Sequence, residues 1–298
     1  MARREIAPGL HLFTSCAWQM TSLVAFLGEE VLLVDPGYFP EEIAEQVSVL
    51  SAPPGRVSSC AEHAGARQTL PVTLLVTHGD FDHVAAAAQL PPLKQVIGHA
   101  ALRRRRGEKV REQIEAFDRQ LYVERPGPFS FPYPTVPVDG PQVREVGDER
   151  LHLFPAPGHT PDCLFAVLER RGILLVGDYL SALEFPFVHD SMARYLSALA
   201  LAESLLDRFQ PRLLLAGHGP AASRPAEMRA RLARDRRYLE DLSEGVEQAV
   251  AAGCSLRETR RRVSSMTYRG EPIVPHLRQE HDRNVALLYR ALRRRKAR

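Results

Sequence analysis

Four short apolar runs in this chain end in the same way, and that repetition constrains the fold more than any other feature. Val31-Leu-Leu-Val34 runs into Asp35-Pro36-Gly37, and Leu74-Leu-Val76 runs into Thr77-His78. Ile173-Leu-Leu-Val176 is followed by Gly177-Asp178, and Leu213-Leu-Leu-Ala216 by Gly217-His218. Continuous apolar runs of this length are what strands covered on both faces look like. A carboxylate or imidazole just past each strand has a rigid mount, and several such mounts can meet at one sheet edge. Further short β-rich runs occur at Leu10–Phe13, Leu23–Phe26, Gln95–Ile97, Leu151–Phe154 and Leu164–Leu168.

Helical patterns lie between the strands, at Glu41–Leu50, His83–Leu90, Ala101–Arg119 and Ser191–Phe209. Alternation of this kind argues for a layered α/β fold. Ser51–Gln68, with Pro53, Pro54, Gly55 and Gly65, reads as a loop or helical excursion. Pro126–Pro141 carries Pro126, Pro128, Pro132, Pro134, Pro137 and Pro141, and should be extended and irregular. Its aromatics Phe129, Phe131 and Tyr133 read as loop residues packed on the core, with covering a pocket as the alternative. From Ala226 onward the pattern is almost wholly helical. Val285, Leu288, Tyr289 and Leu292 form the stripe of a helix docked by one face. The expected organisation is a catalytic unit over residues 1–222 and a helical extension over 223–298 packed against it.

The 298 residues are 45% hydrophobic and 25% charged, enough for a sizeable core. No stretch of about 18 apolar residues occurs, so neither a membrane span nor a secretory leader is expected. Cys16, Cys60, Cys163 and Cys254 are scattered without a Cys-x-x-Cys pair, which suggests neither a zinc ribbon nor a disulfide framework and fits a cytoplasmic location. Residues 221–298 hold 19 Arg/Lys against 10 Asp/Glu, while residues 1–220 hold 20 against 26. A basic tail can bind nucleic acid, but no aromatic residues interleave with these arginines as a stacking surface would need. A small-molecule substrate is the expected partner, and the sequence leaves a homodimer open.

His78-x-Asp80-x-Asp82-His83 places four metal-ligand types within six residues of a strand end. Imidazoles and carboxylates at this density are costly near a core unless a cation compensates their desolvation. Alone, the segment could be a polar loop with Asp82 capping a helix. Three other segments weaken that reading: Pro157-Gly-His159-Thr-Pro161, Gly177-Asp178 and Ala216-Gly-His218-Gly-Pro220. Each sets a small or rigid residue beside a ligand type, so that other groups can approach closely.

The ordered set Asp35, His78–His83, His159, Asp178 and His218 resembles the metallo-β-lactamase-fold hydrolase superfamily, glyoxalase II-like members included, over about residues 5–220. The resemblance implies a four-layer αββα sandwich with metals at one edge between two sheets. It implies a dinuclear site, with His78, Asp80 and His159 on one ion and Asp82, His83 and His218 on the other. Asp178 would bridge the two, and Asp35 would buttress the ligands from behind. Asp82 and Asp178 would be the catalytic carboxylates around a bridging hydroxide. The implied activity is hydrolysis of a small ester, thioester, lactone or related bond. No Gly-x-Ser-x-Gly is present to support a serine hydrolase.

One position departs from the family pattern His-x-His-x-Asp-His: Asp80 stands where the second histidine belongs. Two divalent ions, zinc first, fit the set, and the added carboxylate favours iron or manganese more than usual. Flavodiiron relatives carry Glu here, so a di-iron, oxygen-reactive oxidoreductase is an alternative, although no flavodoxin-like segment follows residue 220. A nucleic-acid-processing phosphodiesterase is a second alternative, raised by the basic tail. Tyr268 and His281 are candidates for the substrate pocket, because helical additions in relatives often wall it. The Arg103–Arg106 run reads as a solvated helix face.

Overall fold

The computed structural model describes residues 2–51 and 70–296, so the Ser51–Gln68 segment lies outside it apart from Ser51. The first sheet has seven strands in chain order: β1 (Ala2–Ala7), β2 (Leu10–Thr14), β3 (Thr21–Leu27), β4 (Glu30–Val34), β5 (Val72–Val76), β6 (Leu93–His99) and β7 (Val136–Val138). Helices α1 (Pro40–Leu50), α2 (Phe81–Val84) and α3 (Gly107–Leu121) fall between these strands. The first four strands are antiparallel, and β4 to β7 run parallel. The second sheet has the order β12-β11-β10-β9-β8, built from β8 (Gln142–Val146), β9 (Glu149–Pro155), β10 (Leu164–Leu168), β11 (Ile173–Leu175) and β12 (Leu213–Leu215). Only β11 and β12 pair in parallel, and the crossover between them is α4 (Met192–Phe209).

Side-chain alternation sorts each buried strand between two cores. Leu32, Leu75 and Leu175 meet between the sheets. Their neighbours Leu33 and Leu74 face Tyr38, Val49 and Ile114 on the helical side of the first sheet. Leu174 faces Leu199 and Leu206 of α4 on the far side of the second. The strands therefore read as unbroken apolar runs because both faces are covered, and the layers stack helix, sheet, sheet, helix. Each such leucine, fully withdrawn from water, contributes roughly 1.5–3 kcal/mol of transfer free energy.

Helix α5 (Pro225–Ala251) follows β12, and α6 (Leu256–Arg262), a short β13–β14 ladder (Thr267–Tyr268, Glu271–Pro272) and α7 (Arg278–Lys296) complete the chain. Val285 and Leu288 of α7 are buried in the same apolar cluster as α4 and α5, with Tyr289 and Leu292 partly buried against it. Among the described residues, no helix is long and apolar enough to cross a membrane.

Several local outcomes differ from the sequence pattern. The helix expected over His83–Leu90 is only α2, ending at Val84, followed by a 3₁₀ turn at Ala87–Gln89. Strand β1 is charged and exposed, so no apolar run announces it. Strand β7 forms inside the proline-rich segment, at the sheet edge, where a missing N–H is tolerated. The helix expected over Ala101–Arg119 begins only at Gly107, after a 3₁₀ turn at Ala100–Arg104.

Candidate metal centre

The centre forms where strand ends from both sheets meet. Asp35 follows β4, His78 to His83 follow β5 and open α2, Asp178 follows β11, and His218 follows β12; His159 sits in the β9–β10 connection. Among the described residues, the groups placed to hold a metal ion are His78/Asp80/His159, His78/His83/Asp178, Asp82/His83/His218 and Asp178/Glu184/His218. All seven ligand candidates named from the sequence are thus brought together. The Asp178 carboxylate lies among all four imidazoles: Oδ2 is 3.5 Å from His78 Nε2, 3.4 Å from His159 Nε2 and 3.5 Å from His218 Nε2, and Oδ1 is 3.1 Å from His83 Nε2. His159 Nε2 lies 3.2 Å from Asp80 Oδ2, and His218 Nε2 lies 3.2 Å from Asp82 Oδ2.

Every histidine is fixed from behind through Nδ1. His83 Nδ1–H donates to Asp35 Oδ2 at 2.9 Å. His159 Nδ1–H donates to the Phe187 carbonyl at 2.8 Å, and His218 Nδ1–H to the Trp18 carbonyl at 3.0 Å. Thr77 Oγ1 donates to Asp35 Oδ2 at 2.5 Å, so its remaining capacity accepts His78 Nδ1–H at 3.1 Å. Asp35 Oδ1 also accepts the Thr77 N–H at 2.8 Å. Placing the proton on each Nδ1 leaves each Nε2 lone pair turned inward, the tautomer a metal ligand requires.

The donor set fits a cation. Nε2 of His78, Nε2 of His83 and Oδ1 of Asp178 are buried without a hydrogen-bond partner, an arrangement that is costly unless something else satisfies those atoms. Burial acts to lower the pKa of His83, yet Asp178, Asp82 and Asp35 outweigh it and hold the ring well above 6.5. His159 is raised to about 9 against its burial, chiefly by Asp80 and Asp178. Asp178 is held well below the usual carboxylate range because His83, His218 and His78 overcome the effect of burial. An anionic field that keeps protons on buried imidazoles is one that a divalent cation satisfies in their place.

Glycine makes the closest approach in the centre. A Cβ on Gly217 would stand 2.1 Å from Asp178 Oδ1 and 2.8 Å from His83 Cε1. At Gly158, beside His159, φ is +150° and a Cβ would meet the Tyr195 backbone at 2.4 Å.

Sequence reasoning missed several contributors. Arg105 is no solvated helix residue: its guanidinium donates to Asp80 Oδ1 at 2.8 Å and forms a two-point contact with Asp162. The residue that departs from the family pattern is therefore clamped on its outer oxygen, while Oδ2 faces His78 and His159. Glu184 lies beside Asp178 and His218; burial, with the Asp178 and Asp82 charges, pushes its carboxyl up against the pull of His218. The Trp18 and Phe187 contributions are backbone carbonyls, which no residue-type pattern reveals.

Tyr268 and His281 are not among the ligand groups. Both are buried, at 8% and 0% exposure. Tyr268 Oη donates to Asp235 at 2.7 Å, and His281 bonds Tyr238 Oη at 2.9 Å and the Val263 carbonyl at 3.2 Å. Their polar atoms are spent on packing the C-terminal helices. Phe131 is buried in the core beside α3, whereas Tyr133 is exposed.

A family model described as the metallo-beta-lactamase superfamily matches residues 19–222. An uncharacterized protein of Aquifex aeolicus (strain VF5) is 26% identical over 159 residues, 51% of this chain and 60% of that protein. Among solved structures, a stereoselective inverting sec-alkylsulfatase from Pseudomonas sp. superposes with a TM-score of 0.69 at 14% identity, over 97% of this chain but only 50% of the sulfatase. A metallo-beta-lactamase family protein from Thermus thermophilus gives a TM-score of 0.65 at 18% identity, over 98% of this chain and 96% of that one. These structural likenesses show a shared fold.

Proposed function

We propose that this chain, which belongs to the metallo-beta-lactamase superfamily, is a metal-dependent hydrolase of a small ester, thioester, lactone or related substrate, with two divalent cations in its centre. The observation that carries this reading is the set of four imidazoles tied through Nδ1 with Nε2 turned onto shared carboxylates. His78, Asp80 and His159 would hold one ion, Asp82, His83 and His218 the other, and Asp178 would be shared. Such a pair supplies a hydroxide nucleophile at neutral pH and polarises the bond to be cleaved.

The chain's own residues then have separate duties. Asp35 and Thr77 keep His83 and His78 in the ligating tautomer. Arg105 takes up charge on Asp80, so that a carboxylate can occupy a position where an imidazole would be neutral. Asp82, 3.2 Å from His218 Nε2, would orient the nucleophile. Glu184 brings a fourth carboxylate to the His218 side of the centre, a composition that suits zinc and extends to iron or manganese.

Turnover of a panel of ester, thioester, lactone, phosphodiester and alkyl sulfate substrates tests the reading, with metal content measured on protein purified without added metal. Asp178→Ala and His159→Ala should lose metal and turnover together. Full activity in both variants would overturn the assignment.

A further inference from the structure

The C-terminal helices lie beyond the residues matched to the family, yet their buried polar side chains reach the loops that carry three of the ligands. Arg231 of α5 is 1% exposed. Its Nη1 donates to the Leu180 carbonyl at 3.3 Å and its Nη2 to the Pro220 carbonyl at 3.0 Å, with Glu227 2.6 Å away balancing the charge. Leu180 stands two residues after Asp178, and Pro220 two residues after His218. One turn further along α5, Asp235 accepts the Leu180 N–H at 3.1 Å. Leu180 has φ +56°, a left-handed conformation that persists in a side-chain-bearing residue only when its surroundings hold it. Here one helix holds both of its backbone polar groups.

Helix α7 does the same for His159. Asn284 is fully buried; it accepts the Val188 N–H at 2.9 Å and donates to the Pro186 carbonyl at 2.7 Å. Those groups flank Phe187, whose carbonyl receives His159 Nδ1–H. Packing alone calls for none of this. A buried guanidinium and a buried carboxamide carry a desolvation penalty that apolar residues of similar volume avoid.

We propose that Arg231, Asp235 and Asn284 are positioning residues that lock the Asp178, His218 and His159 loops in ligating geometry, so that docking of α5 and α7 and metal binding form one coupled equilibrium. The inference rests on the reading of the cluster as a metal centre. Linkage is reciprocal: if docked helices tighten metal binding, bound metal stabilises the docked helices by the same factor.

The test uses the full chain with Zn²⁺ as the probe. Affinity is read by chelator competition, and melting temperature with and without the ion. Arg231→Met and Asn284→Ala should each weaken binding by about tenfold or more, as loss of a ligand-orienting group does, and should shrink the metal-induced rise in melting temperature. Arg231→Lys should recover part of the loss. Addition of Zn²⁺ to the unmodified protein should slow amide exchange in α5 and α7. Tyr268→Phe removes one hydroxyl that anchors Asp235 and serves if the larger changes prevent folding; it should weaken binding a few-fold. Parallel drops in both melting temperatures with unchanged Zn²⁺ affinity would overturn the proposal, as would unchanged affinity in Tyr268→Phe. An unmodified protein that binds none of Zn²⁺, Mn²⁺ or Fe²⁺ would instead overturn the metal-centre reading beneath it.

Discussion

Asp35→Asn replaces one carboxylate oxygen with an amide nitrogen at the hub of the hydrogen bonds behind His78 and His83. Asp35 is 2% exposed and accepts three donors: Thr77 N–H at 2.8 Å, Thr77 Oγ1–H at 2.5 Å and His83 Nδ1–H at 2.9 Å. An asparagine has one acceptor oxygen and one donor nitrogen. If its oxygen keeps the Thr77 N–H, its NH₂ faces Thr77 Oγ1 and His83 Nδ1. The threonine hydroxyl can rotate and accept. The imidazole can accept only by moving its proton to Nε2, which is the atom that must be bare to ligate. A hydrogen bond to a charged partner contributes about 1.5–3 kcal/mol, equivalent to a weakening of metal binding by roughly 10–100-fold. The loss should fall mainly on the ion held by Asp82, His83 and His218. Chelator-competition titration with Zn²⁺ reads it directly, and circular dichroism confirms that the variant folds. A folded Asp35→Asn protein with unchanged affinity would refute the tautomer argument.

Gly217→Ala sets a methyl group against Asp178 Oδ1 and should displace the shared carboxylate, lowering metal affinity by at least about tenfold; isothermal titration measures this. Glu184→Gln removes a carboxylate beside Asp178 and His218, and should shift preference from Mn²⁺ toward Zn²⁺ in paired affinity measurements; an unchanged ratio counts against a ligating role. His281 is lowered below 6.5 by burial and donates Nε2–H to Val263 while accepting from Tyr238. Its stabilising contribution is therefore present above about pH 6.5 and lost as pH falls toward the lower folded value. Thermal melts across this range should show that slope, and His281→Gln should flatten it.

The strand-end ligands are legible in the sequence because each sits on an apolar run whose burial on both faces leaves no other pattern open. The same logic cannot reveal β1, whose residues are charged and exposed, or β7, where prolines hide an edge strand. Four imidazoles are legible as residue types, whereas the Trp18 and Phe187 carbonyls that fix two of them have no side-chain signature. Arg105 sits in a run of arginines that reads as solvated, and only the fold shows its contact with Asp80. Tyr268 and His281 read as pocket candidates because helical additions in relatives often wall the site. Here their polar atoms bond Asp235, Tyr238 and the Val263 carbonyl within the C-terminal part. Asp80 itself is visible as a departure, but its consequence depends on a partner 25 residues away.

Native mass spectrometry of the protein purified without added metal tests most directly whether these seven side chains hold metal. The expected result is about two divalent ions per chain in the unmodified protein, with loss of at least one in Asp178→Ala. A folded, unmodified protein that carries no metal and takes up none from added Zn²⁺, Mn²⁺ or Fe²⁺ would contradict the metal-centre reading.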